Sequence, residues 1–140
     1  MNVDELDDGV IEALIEHARA APSDHSTIDL WFQGGAMGRI GAEESAFGDR
    51  SAPILVGIEA NWEPERQEDE ANIAWARACY SDLRRFSGGG MYLNFPGFLE
   101  EGQGLIREAY GVNYERLVAL KNQYDPANLF RLNQNIEPTV

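Results

Sequence analysis

Ile54-Leu55-Val56-Gly57-Ile58 is apolar at every side chain it carries, within a stretch, 53–62, that reads as a strand. A run this continuous fits a strand covered on both sides. Upstream, Ser26-Thr27-Ile28-Asp29-Leu30-Trp31-Phe32-Gln33 alternates Ile28 and Leu30 with Asp29 and Trp31, the period-2 mark of a second strand. Gly34-Gly35 then breaks that strand or lets another group approach closely.

Helical spacing flanks the two strands. Over 4–20, Leu6, Val10, Leu14 and Ala18 form one stripe, with Ile11 and Ile15 beside it, and Pro22-Ser23-Asp24 ends the pattern. Over 68–86, Ala71, Trp75, Cys79 and Leu83 recur every four residues, with Phe86 closing the stripe. The acidic start and Arg84-Arg85 end suit a helix dipole, and Gly88-Gly89-Gly90 stops the helix. Met91 to Phe95 reads as a short strand, and 103–110 and 113–124 as two helices parted by Gly111. Asp125-Pro126 has the form of an N-cap and first helical position, opening one more turn. The order α-β-β-α-β-α-α predicts an α+β fold, a mostly antiparallel sheet with helices packed on one face. Residues 1–140 show no repeat, low-complexity tract or dividing linker, so a single domain is expected.

The charge is lopsided: 24 acidic against 11 basic residues, net −13, with Lys121 as the one lysine. Such a surface repels phosphate backbones and anionic headgroups, which argues against nucleic acid and membrane as partners. It suits an ordinary acidic soluble protein or one adapted to a high-salt cytoplasm. The N-terminus is acidic and no stretch approaches ~20 apolar residues, so neither a signal peptide nor a membrane span is expected, and the compartment is read as cytoplasmic.

Several chemistries find no carrier. Cys79 is the only cysteine, excluding an intrachain disulfide, and its place on an apolar stripe marks it as core. His17 and His25 lack carboxylates at ligand spacing and read as lone surface histidines, so no metal site is expected. Gly88-Gly89-Gly90 follows a helix instead of opening one, so it is no phosphate loop.

Specific residues crowd the C-terminal end. Tyr110-Gly111-Val112-Asn113-Tyr114-Glu115-Arg116-Leu117, then Lys121-Asn122-Gln123-Tyr124-Asp125-Pro126-Ala127-Asn128-Leu129-Phe130, then Asn133-Gln134-Asn135-Ile136 resemble the closing signature of berberine-bridge-type FAD-linked oxidases. That signature reads Y-G-x-N-Y-x-R-L, K-x-x-Y-D-P-x-N-x-F and N-x-x-I. The resemblance extends upstream to Tyr92-Leu93-Asn94-Phe95, to Ile73-Ala74-Trp75-Ala76-Arg77, and to Gly34-Gly35-Ala36 with Ala46-Phe47 and Arg50. Nearly the whole chain is similar to the last, substrate-side part of the family, and the flavin-holding domain is absent from it.

The resemblance implies a flavin-dependent oxidoreductase that oxidises an alcohol or sugar-like substrate: a base takes the hydroxyl proton while hydride passes to FAD. Tyr92 matches the tyrosine that acts as base in several members; without a flavin opposite it is equally an ordinary strand tyrosine. A phenol ionises near ~10 when unperturbed, so such a base needs help from a cation, the flavin or a second tyrosine. Asn94, on the face of Tyr92, is a candidate for the flavin side, as are Asn133 and Asn135 unless they only tie down the tail. Arg116 and Asp125 read as structural. FAD is expected only with a separate FAD-binding subunit, and not tightly by this chain alone. A non-catalytic binding module and a remnant of a truncated oxidase are the alternatives. An apolar patch around Tyr92, Asn94 and Phe95 is expected to draw two copies into a homodimer, more strongly as salt rises.

Overall fold

The central strand is the one its composition singles out. The computed structural model describes residues 1–48, 50, 52–64, 69–95, 102–132 and 134–140. Its elements are β1 (Asn2–Val3), α1 (Asp8–Arg19), β2 (Thr27–Phe32), β3 (Ile54–Glu59), α2 (Asp69–Leu83), α3 (Gln103–Tyr110) and α4 (Tyr114–Tyr124). β3 lies between β1 and β2, antiparallel to both, with Asn2 opposite Leu55 and Leu30 opposite Val56. Ile54, Leu55 and Val56 are all buried, as a strand flanked on both edges and covered on both faces requires. The architecture is α+β. The chain divides into two compact units, Met1–Gln33 with Ala52–Gly89, and Gly34–Ser51 with Gly90–Val140.

In the first unit, α1 and α2 cover one face of the sheet. Val3, Ile54 and Val56 meet Ala13 of α1 and Cys79 and Leu83 of α2, with Ile28, Ile58 and Phe86 packed around them. α1 starts at Asp8, later than residue 4. Asn2 and Val3 are extended against β3, and Asp7 caps the helix by accepting the Val10 N–H at 2.8 Å. Ile11 and Ile15, expected beside the buried stripe, are 41% and 44% exposed; Val10 and Ala13 hold the buried positions. On α2 the stripe begins at buried Asn72, and Ala71 faces out. The histidines are not lone. His17 Nε2 lies 3.1 Å from Asp82, its backbone carbonyl accepts the Trp75 indole N–H at 2.8 Å, and His25 lies 3.6 Å from Glu63. His17 thus fastens α1 to α2.

In the second unit, α3 and α4 join through Ile106, Tyr114 and Val118, with Leu93, Tyr110 and Ile136 packed against them. The tail returns onto α4: Asn122 Nδ2 donates to Thr139 Oγ1 and Asn122 Oδ1 accepts from Thr139 N–H, both at 2.8 Å. Asp125 opens no helix. Its carboxylate accepts from the N–H of Leu129 (2.7 Å) and Phe130 (3.0 Å), too far along the chain for an N-cap, and from Lys121 Nζ at 2.6 Å. Lys121 also donates to the Phe130 carbonyl at 2.5 Å, and Asn128 takes φ +53° to close the loop. Pairing with Lys121 holds the Asp125 carboxyl below the usual carboxylate range. Among the described residues no helix is long and apolar enough to cross a membrane.

Candidate active site

Residues Met91 to Phe95 are a turn, not a strand. Gly89 and Gly90 enter it at φ +106° and +80°, and the Phe95 N–H closes it on the Tyr92 carbonyl at 3.0 Å. Sequence alternation misleads here because it requires only that Leu93 point away from its neighbours, and a turn does that equally well. Leu93 packs on the α3–α4 core, while Tyr92 and Asn94 meet each other. The Asn94 amide Nδ2 donates to the Tyr92 phenol oxygen at 2.5 Å. Tyr92, Asn94 and Phe95 therefore share a corner of the second unit, not a face of the sheet.

Aromatic rings frame that phenol. Phe95 meets the Tyr92 ring edge-on, centroids 4.9 Å apart at 89°, and Phe47 lies 5.5 Å away at 36°. The Arg50 guanidinium sits 4.4 Å over the Phe47 ring and donates to Ser45 Oγ at 2.9 Å. Its Nε is buried without a hydrogen-bond partner among the described residues. A cation thus stands one ring away from Tyr92, a neighbour that sequence spacing alone does not place there. The Ala46-Phe47 and Arg50 motif is the one sequence signal that could have found it.

The loop carrying Phe47 is docked at three points. Asn113 Nδ2 donates to the Ala42 carbonyl at 2.8 Å and Arg116 Nη1 to the Glu43 carbonyl at 3.2 Å. Gly48 lies so close to the end of α3 that a Cβ there would stand 2.2 Å from the Ala109 carbonyl oxygen. Arg116 is structural, as expected, and its role is to hold this loop.

The other candidates lie apart from the phenol. Asn135 offers its backbone carbonyl to Gln103 Nε2 at 3.1 Å, and Gln103 Oε1 accepts the Tyr114 hydroxyl at 3.0 Å, so Asn135 marks a tether of the tail. Asn133 lies outside the described residues. The phenol, amide and ring-lined corner fit the polar edge of a flat aromatic cofactor or a hydroxylated substrate. Lys121, Arg107 and Arg116 are each engaged within the chain, by Asp125, Glu115 and Glu43. Cys79, 0% exposed in the first unit, belongs to the sheet core, and burial, with Asp82 second, pushes its thiol up to about 11.

Comparison with known proteins places the chain in a family. Residues 91–137, from the Tyr92 turn to the tail, match the family described as berberine and berberine like. The FAD-linked oxidoreductase YgaK of Bacillus subtilis is 34% identical over 128 residues, spanning 91% of this chain and 27% of that protein. Berberine bridge enzyme-like C-1 of Nicotiana tabacum is 30% identical, over 95% of this chain and 28% of its own length. A solved glycopeptide hexose oxidase, complexed with teicoplanin, superposes at TM-score 0.81 with 24% identity, covering 98% of this chain and 31% of that one. The chain spans a little over a quarter of the curated relatives it matches. It belongs, by motif, match and fold, to the berberine-bridge-type FAD-linked oxidoreductases, and is similar to their C-terminal part.

Proposed function

We propose that these 140 residues form the substrate-side part of a flavin-dependent oxidoreductase acting on an alcohol or sugar-like substrate. In this reading FAD is held by a flavin-binding part outside these residues. The observation that carries it is the Asn94–Tyr92 contact inside the Phe47–Phe95 ring frame, within the stretch that matches the family. The hexose oxidase among the structural relatives supports the substrate class.

The flavin, when bound, supplies the hydride acceptor; this chain's residues handle the proton. Tyr92 receives the hydroxyl proton of the substrate. Asn94, donating to the phenol oxygen, stabilises negative charge there, and the rings of Phe47 and Phe95 fix the orientation of the phenol. Asn94 faces the substrate and flavin side through its contact with Tyr92.

Two measurements test the reading. The chain alone should take up FAD only weakly, because no basic cluster offsets its net charge of −13. A titration giving sub-micromolar affinity would refute that part. In the complex with its flavin-binding part, Tyr92→Phe keeps the ring and removes the base, so turnover should fall by ~10²–10⁴ with assembly intact. Unchanged turnover would reduce Tyr92 to packing and favour a non-catalytic binding module.

A further inference from the structure

β2 is an edge strand: the order β1-β3-β2 leaves one side of it without a sheet neighbour among the described residues. Two bonds fix which of its backbone groups face that side. Gln33 N–H donates to the Pro53 carbonyl at 2.7 Å, one step beyond the Phe32–Ile54 pair. Val56, opposite Leu30, sends its N–H away from β2, to the Met1 carbonyl at 2.8 Å. Bonded and non-bonded pairs alternate along an antiparallel ladder. Thr27, Asp29 and Trp31 therefore bond β3, and the N–H and C=O groups of Ile28, Leu30 and Phe32 point to the open edge. The side chains there are apolar and exposed, at 36% for Leu30, 50% for Trp31 and 72% for Phe32. Lysine, proline and bulges, the usual protections of a lone edge, are missing from Thr27-Ile28-Asp29-Leu30-Trp31-Phe32.

We propose that β2 is a dimerisation strand, pairing antiparallel with β2 of a second copy about a two-fold axis at Leu30. One register suits the edge best. An axis on any residue of the strand sets outward groups against outward groups, but an axis at Asp29 puts the two Asp29 carboxylates opposite each other, and an axis at Ile28, Trp31 or Phe32 pairs three or fewer of the six strand residues, whereas an axis at Leu30 pairs 28–32. With the axis at Leu30, each Ile28 faces Phe32 of the second copy and the two Leu30 face each other, all through outward backbone groups. On the opposite face of the sheet each Asp29 stands across from Trp31 of the second copy, a carboxylate beside an indole. The two Asp29 carboxylates do not oppose each other, which removes the like-charge clash of a cross-strand pair. An axis normal to the sheet keeps the helices of both copies on one side and joins two three-stranded sheets. This surface is distinct from the Tyr92 corner and does not rest on the flavin reading.

The test is molar mass by light scattering over a concentration and salt series, with amide exchange read residue by residue. Mass should double with concentration, more readily at high salt, where the repulsion of two chains of −13 is screened. Protection at Ile28, Leu30 and Phe32 should rise with the dimer fraction, while Asp29 and Trp31 stay protected throughout. Leu30→Lys sets two ammonium groups face to face on the axis and should raise the dimer dissociation constant at least about tenfold. Phe32→Lys serves the same purpose should the first variant fold poorly. Ile11→Lys, on an exposed apolar position of α1, should dimerise as the parent does. A monomer at every concentration and salt level overturns the proposal. So does a dimer indifferent to both lysine variants, or protection of the outward amides in a monomer, which would mean that another segment covers the edge.

Discussion

Replacing Gly48 by alanine should damage the candidate site from a position that carries no functional group. The added Cβ would stand 2.2 Å from the backbone oxygen of Ala109, where ordinary contact begins at 3.4 Å. The two must part by about 1.2 Å, and neither has a side chain that can rotate away. α3 is anchored by Ile106 in the core, so the loop is the part that yields. It is pinned on both sides of Gly48, by the Asn113 and Arg116 bonds before it and by Arg50 after it, so its shift is resisted. Overpacking of this kind typically costs ~1–3 kcal/mol. At roughly 3–4 °C per kcal/mol for a chain of this size, the melting temperature should drop by about 3–12 °C. The Phe47 ring moves with the loop, so the near-ultraviolet circular dichroism of the Phe47–Tyr92–Phe95 group should change as well. Gly34→Ala is the matched control, since a Cβ there meets nothing within 4 Å. A Gly48→Ala variant that melts and absorbs like the parent would refute the docking of this loop, and with it the path that brings Arg50 towards Tyr92.

Two further outcomes follow from the titrating groups. Cys79 is buried and its thiol is pushed up to about 11, so a disulfide reagent at pH 8 should leave the folded chain untouched and label it on unfolding; fast labelling of the native chain would contradict its burial. Asp125 is depressed below its ordinary 3.8, so its contribution to the 125–130 loop is complete above that value and disappears as the pH falls through the lower folded value. Protease cleavage of that loop should therefore rise only in strong acid, and Asp125→Asn should lose the pH step while cleaving faster at neutral pH.

Periodicity made the regular elements legible. The expected strand at 26–33 forms as Thr27–Phe32, and the expected helices at 68–86 and 103–110 form as Asp69–Leu83 with a following turn and as Gln103–Tyr110. Each of these buries a repeating face long enough to leave a pattern. β1 does not, because two residues make no period; its pairing rests on backbone groups, which sequence does not display. Asp125 misled for a related reason. An aspartate before a proline suits a helix cap, but the Lys121 ammonium four residues earlier competes for the carboxylate, and the backbone then wraps round the ion pair instead of starting a helix.

The site was legible in its residues and not in its form. Tyr92 and Asn94 were singled out together, and they do meet, but through a glycine-led turn and not through strand alternation. What joins Phe47 to Tyr92 is a close backbone passage at Gly48 and two side chains of the α4 region gripping the carbonyls of Ala42 and Glu43. These contacts span about 60 to 70 residues, and none of them has a period. They explain why Asn113 and Arg116 stand in a signature whose visible pattern is only a helix: they fasten the loop that frames the phenol. The same reasoning separates β2 from the site. Its apolar edge obeys a strict alternation of backbone direction that follows from the register with β3, so the surface proposed for a second copy can be derived from pairing geometry, while the role proposed for Tyr92 depends on contacts that only the folded chain displays.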